Sequence, residues 1–163
     1  MRVSIFAGLI AAVLIPAGAW AYDDPRALVS AIYAPYQSGQ QHGDLGQFYS
    51  ARLKQLFADH AEKAAAEADT TGSEPLAVEP AFDFNPFIDA QHALLLDVAI
   101  GEPVTLGDKS LVTVGFHNFD QPTLLSLSLV READGWKVDD VSSMGGAENW
   151  MLSWLLQYDP WGM

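Results

Sequence analysis

The residues able to do chemistry in this 163-residue chain fall into a few short stretches. The densest is Phe82-Asp83-Phe84-Asn85-Pro86-Phe87-Ile88-Asp89-Ala90-Gln91-His92, whose Asp-x-Asn opening suggests a calcium loop, because hard cations gather oxygen ligands. That chemistry fails on the residues: Phe87 and Ile88 stand where an oxygen ligand and the turn glycine belong, and position 94 is Leu instead of Glu. The stretch then reads as a turn. Asp83 and Asn85 bond to their own backbone, Pro86 fixes the bend, and Phe82, Phe84 and Phe87 plug the open end of a sheet. The functional alternative is a pocket rim where Phe87, Gln91 and His92 meet a ligand.

General-base chemistry would need a carboxylate among apolar walls, and Asp140 is the candidate. Strand parity from Trp136 and Val138 places Asp140 on their covered face and turns Asp139 toward water. The structural alternative has Asp140 accepting hydrogen bonds from a helix N-terminus or a loop backbone, and this is the reading favoured here. His42, His60, His92 and His117 show no His-x-His or His-x-x-x-His spacing, so no metal site is expected. No Gly-x-Ser-x-Gly elbow is present, and Ser142-Ser143-Met144-Gly145-Gly146 reads as a strand exit. No cofactor is expected.

Near the C-terminus, a helix from Glu148 would carry Trp150, Trp154 and Tyr158 at i, i+4 and i+8, with Met151, Leu152, Leu155 and Leu156 around them. Either this helix packs on the sheet with its far side covered by residues 82–87, or part of the stripe, with Trp161, stays exposed to dock a protein or a glycan.

Composition narrows the classes further. The chain has no cysteine, which excludes disulfide frameworks, thiol catalysis and iron–sulfur clusters. With 8 Lys+Arg against 21 Asp+Glu the formal charge is −13, which argues strongly against nucleic acid as a partner, since that affinity comes from basic residues over phosphates. A hydrophobic share of 50% provides for one packed core.

Residues 1–21 read as a signal peptide: Met1-Arg2, an apolar run from Val3 to Ile15, breakers Pro16 and Gly18, then Ala19-Trp20-Ala21 before the cut. An uncleaved anchor is the alternative. Loss of Arg2 with the leader takes the charge from −13 to −14. The expected product is a periplasmic or secreted single α+β domain, residues 22–163, with no stable membrane insertion after cleavage.

The elements that must position these residues separate along the chain. Asp23-Asp24-Pro25 opens a first helix carrying Leu28, Val29, Ile32, Tyr33 and Tyr36 on one face, closed by Ser38-Gly39. A second helix is expected from Ser50 to about Asp69, with Leu53, Leu56 and Phe57 buried. Period-two runs follow: Leu94, Leu96, Val98 and Ile100; Val112, Val114 and Phe116; Leu125, Leu127 and Leu129; Trp136 and Val138. The turns Gly107-Asp108, Asp120-Gln121-Pro122 and Asp134-Gly135 make them an antiparallel meander, roofed by the helices. His117, opposite in parity to Phe116, faces solvent or a partner.

Helices followed by a curved antiparallel sheet ending in Asp134-Gly135-Trp136-Lys137-Val138-Asp139-Asp140-Val141 resemble the nuclear-transport-factor-2-like superfold. Together with Asp83-Phe84-Asn85-Pro86-Phe87 and Ala90-Gln91, the chain resembles a family of secreted bacterial proteins carrying a domain of unknown function, with His92 where that pattern has an acidic residue. The resemblance implies a cone with an apolar pocket. It does not choose among isomerases, dehydratases and non-catalytic binders.

The function expected is a non-catalytic binding module for an envelope protein, or for a small apolar or glycan ligand. Candidate ligand contacts are Phe87, Gln91, His92, Trp136, Trp150 and Trp154. The alternatives are an isomerase or dehydratase using Asp140 as base, and an inhibitor or immunity protein against a cell-wall enzyme, for which the acidic surface favours a basic target.

Overall fold

The computed structural model describes residues 21–40, 43–71, 82, 84–145 and 149–158. The expected leader, apart from Ala21, lies outside them, as do His42, Asp83 and Trp161. Three α-helices and five antiparallel strands are present among the described residues: α1 (Pro25–Gln37), α2 (Ala51–Thr71), β1 (Leu95–Ile100), β2 (Val104–Leu106), β3 (Lys109–Asn118), β4 (Gln121–Glu132), β5 (Gly135–Ser143) and α3 (Leu152–Tyr158). This is the α+β segregation that the sequence predicts.

Helix α1 forms where the caps direct it. Asp24 Oδ2 accepts from the Ala27 N–H at 2.8 Å, Pro25 occupies the first turn, and Leu28, Val29, Ile32 and Tyr33 are buried. Such a cap contributes about 1 kcal/mol. Ser50 does the same for α2, accepting from the Leu53 N–H at 3.0 Å. Leu53 is buried, while Glu62 to Ala66 are exposed, so that part of the tail is held by propensity more than by packing.

The sheet runs β1-β3-β4-β5, with β2 beside β1 on the same edge of β3. Its inner face carries Val112, Val114 and Phe116, then Leu125, Leu127 and Leu129, then Trp136, Val138 and Val141, all buried with the apolar side of α1. Helix α1 packs on β1, β3 and β5, and α3 lies against α2 and β5.

Two bulges change the expected parity. In β1 the pairing slips between Leu96 and Ala99, and Asp97 adopts φ 54°, a left-handed value rare outside glycine. Leu95 is therefore the buried residue at the start of the strand, and Leu94 and Leu96, expected on the apolar face with Val98 and Ile100, are about half exposed at 51% and 48%. In β5, Ser128 pairs with Asp140 but Leu129 pairs with Val138, which leaves Asp139 as the extra residue. Val141, not Asp140, then continues the covered face of Trp136 and Val138. Asp139 does not point into water, because Ser50 and Arg52 hold it. A period-two pattern has no way to anticipate an inserted residue.

The outer edge of β5 is closed along its length. The Trp136 N–H donates to the Tyr22 carbonyl at 2.8 Å, the Ser50 N–H donates to the Val138 carbonyl at 2.8 Å, and the Ser143 N–H donates to the Trp150 carbonyl at 3.0 Å. Gly135 permits the first contact: its φ is 109°, and a Cβ there would stand 2.8 Å from the Tyr22 backbone. The third contact corrects the expected C-terminal helix. Trp150 is paired to Ser143, and Met151 bridges Ser142, so the helix begins at Leu152 instead of near Glu148.

Candidate functional site

Three carboxylates gather around the covered edge of β5. Asp140 Oδ1 accepts from the N–H groups of Val141 at 2.9 Å and Ser153 at 3.0 Å, and Asp140 Oδ2 accepts from the Ser153 hydroxyl. It therefore caps the first turn of α3. Asp139 accepts from Ser50 Oγ at 2.7 Å and from Arg52 Nε at 3.0 Å. Partial burial works to raise the Asp139 pKa, but the hydrogen bonds from Arg52 and Ser50 outweigh it and hold the carboxyl below its ordinary range. Asp89, at φ 51°, accepts from Trp150 Nε1 at 2.7 Å and Ser143 Oγ at 2.9 Å. Together they pin α3 and the strand leading into it.

The aromatic turn sits beside this edge. Asn85 Oδ1 accepts from the Phe87 N–H at 2.9 Å, the self-bonded turn expected, while Asn85 Nδ2 donates to the Tyr36 hydroxyl at 2.7 Å. The Tyr33 hydroxyl donates to the Phe87 carbonyl at 2.8 Å. Burial pushes the Tyr36 phenol up to about 12, against the lowering effect of the Asn85 bond, and pushes the Tyr33 phenol well above its usual value.

The expected site residues do not converge on one cavity. Phe87 is fully buried, stacked near Tyr49 at 6.0 Å between ring centroids. Gln91 and His92 are exposed beyond the turn, where the His92 carbonyl accepts from Asn118 Nδ2 at 2.9 Å. Trp136 is buried in the core. The Trp150–Trp154–Tyr158 stripe is split: Trp150 is buried against Phe84, with ring centroids 5.1 Å apart, whereas Trp154 and Tyr158 are exposed and pack on each other at 5.7 Å. Sequence reading missed Asp89, Arg52 and Ser153. For Asp89 the only signal is the need of a buried indole N–H for an acceptor, whereas Arg52 and Ser153, which donate, have none.

Among the described residues, every buried side-chain nitrogen and oxygen has a hydrogen-bond partner, and no group of three or more His, Asp or Glu side chains could hold a metal ion. No helix there is long and apolar enough to cross a membrane.

The bare region is the opposite, outer face of the sheet. Val104 is 72% exposed, Leu106 86%, Leu111 43% and Leu124 41%. Two shallow depressions mark it. One, of about 370 Å³, runs between Val104, Leu106, Lys109, Leu111, Ser128 and Asp139. The other, of about 350 Å³, lies over Gly115 between Asp97, His117 and Leu124. Such a surface suits contact with another macromolecule more than enclosure of a small molecule.

No protein-family model matches the chain, and no curated protein matches it. Two solved chains superpose on it, both from crystal structures of the type VI effector-immunity complex Tae3-Tai3 from Ralstonia pickettii. The selenomethionine form matches at 17% identity and a TM-score of 0.42, over 77% of this chain and 100% of that one. The native form matches at 16% identity and a TM-score of 0.40, over 77% of this chain and 99% of that one.

Proposed function

We propose that this chain is a secreted or periplasmic non-catalytic module, residues 22–163 after leader removal, that binds and inhibits a basic cell-wall enzyme as an immunity-type protein does. The observation that carries this reading is the uncovered outer sheet face, where Val104 and Leu106 are 72% and 86% exposed, on a chain of formal charge −13. Exposed apolar groups on a strongly acidic protein suit a cationic partner, which the field steers in before the apolar contact forms. The superposed chains come from an effector-immunity complex, and the reading rests on charge and surface, not on that likeness.

In this proposal the curved sheet is a cone of the nuclear-transport-factor-2-like kind whose interior is filled. Phe116 and Trp136, at 4% and 3% exposure, occupy the space that a small ligand would need. The isomerase or dehydratase alternative finds less support, since both oxygens of Asp140, its required base, are engaged by Ser153 and Val141.

The test mixes the leader-free protein with a panel of basic peptidoglycan hydrolases and follows hydrolysis at about 0.05 M and about 0.5 M salt. Stoichiometric inhibition of one member, weaker at the higher salt, is expected. Lack of inhibition across the panel, or turnover of a substrate by the chain alone, would reject the proposal.

A further inference from the structure

The depression over Gly115 has features that the chain's own packing does not explain. Gly115 lies in the middle of β3, paired with both β1 and β4. Its φ does not require glycine, and a Cβ there would meet only Leu124 Cδ1, at an ordinary 3.9 Å. Neither conformation nor crowding asks for a missing side chain. A glycine inside a strand costs stability, and one recurrent reason for it is close approach by another molecule. Ala99 and Gly145 keep the neighbouring floor low, and Leu124 forms one wall.

The β1 bulge supplies the second feature. It sets Asp97 at φ 54° and carries its carboxylate to the rim of the same depression, with the side chain 86% exposed. Among the described residues its one charged neighbour is His117, whose Nδ1 is 3.8 Å away, beyond hydrogen-bond range. No arginine or lysine lines the depression among the described residues. Bulges often re-aim a side chain at a binding site.

We propose that this slot receives an arginine side chain of a protein partner, its guanidinium lying flat over Gly115 beside Leu124 and its N–H fork paired with the Asp97 carboxylate. Arginine fits because its head is planar, weakly hydrated and matched to a carboxylate in bidentate geometry, whereas the lysine ammonium is compact and strongly hydrated. The choice of a basic protein as the source rests on the function proposed above; the slot itself does not.

The test is an NMR titration of the intact leader-free protein with three capped peptides, Gly-Arg-Gly, Gly-Lys-Gly and Gly-citrulline-Gly. The arginine peptide should produce saturable shifts at the Gly115, Leu124 and Gly145 amides. The lysine peptide should bind at least about fivefold more weakly, and the uncharged citrulline peptide should give no saturation. Asp97→Asn should weaken arginine binding by a similar factor, and Gly115→Val, whose Cβ meets nothing nearer than Leu124 Cδ1 at 3.9 Å, should abolish it while leaving thermal unfolding cooperative.

Equal response to arginine and lysine, shifts scattered over the acidic surface, or undiminished binding in both variants would overturn the proposal. Inhibition of a hydrolase with no arginine response would sink the slot alone. An arginine response with no hydrolase inhibited would sink the inhibitor function alone.

Discussion

The two long edges of the sheet are finished in opposite ways. Along β5, the backbone of Tyr22, Ser50 and Trp150 takes up the outward hydrogen bonds, and Asp89, Asp139 and Asp140 fasten those segments by side chain. Along β1 and β2, no such segment is paired among the described residues; Leu96 is half exposed, and Val104 and Leu106 stand in solvent. An open apolar edge invites unwanted pairing, and a protein that keeps one usually charges it or uses it. Here the closed edge is the part built for stability, and the open edge and the face beside it are the part that the proposed function assigns to a partner.

That contrast is broken most directly by trading substitutions across it. Phe87→Ala, at a fully buried ring, should cost about 3–5 kcal/mol in urea unfolding, whereas Leu106→Ala on the open side should stay within about 0.5 kcal/mol. Comparable losses at both positions would mean that the outer face is part of the core. Asp89→Ala should come next, at about 1–3 kcal/mol, because it strands the Trp150 indole N–H and the Ser143 hydroxyl. Hydrogen exchange should then accelerate first in residues 149–158, and uniform acceleration would argue against a local latch.

Proton linkage sharpens the same comparison. Tyr33 and Tyr36 have raised phenol pKa values in the folded state, so their contribution is complete below the ordinary tyrosine value. For Tyr36 it is lost as the pH climbs from about 10 toward about 12. Tyr36→Phe should cost about 1 kcal/mol near neutrality through the lost Asn85 bond and should flatten that alkaline decline. An unchanged slope would remove Tyr36 from the account. The smallest effect lies on the acid side. Asp139 has a lowered pKa, so its stabilisation is present above the ordinary carboxyl value and fades as the pH falls through its folded value. Arg52→Ala should therefore lose less than about 1 kcal/mol at pH 7 and less still in strong acid, where only its bond to the Asp139 backbone carbonyl persists, by urea unfolding at both pH values.

Much of the architecture is legible in residue order because its causes are local. Asp24-Pro25 can only open a helix efficiently, and Val112-Val114-Phe116 and Leu125-Leu127-Leu129 alternate over uninterrupted strands, so their buried faces follow from period two. The acidic balance on which the proposed basic partner rests is likewise a property of composition alone. What depended on the tertiary structure lies at the bulges and the edges. Asp97 and Asp139 are extra residues only relative to the strand beside them, so the exposure of Leu96 and the true covered face at Val141 are invisible until the register is set. Asp89 and Trp150 meet across 61 positions of sequence, and burying an indole depends on a distant carboxylate being placed to accept the hydrogen bond of its N–H. Periodicity records how a segment would face a surface; only the folded neighbours determine where that surface begins, slips by one residue, and stops.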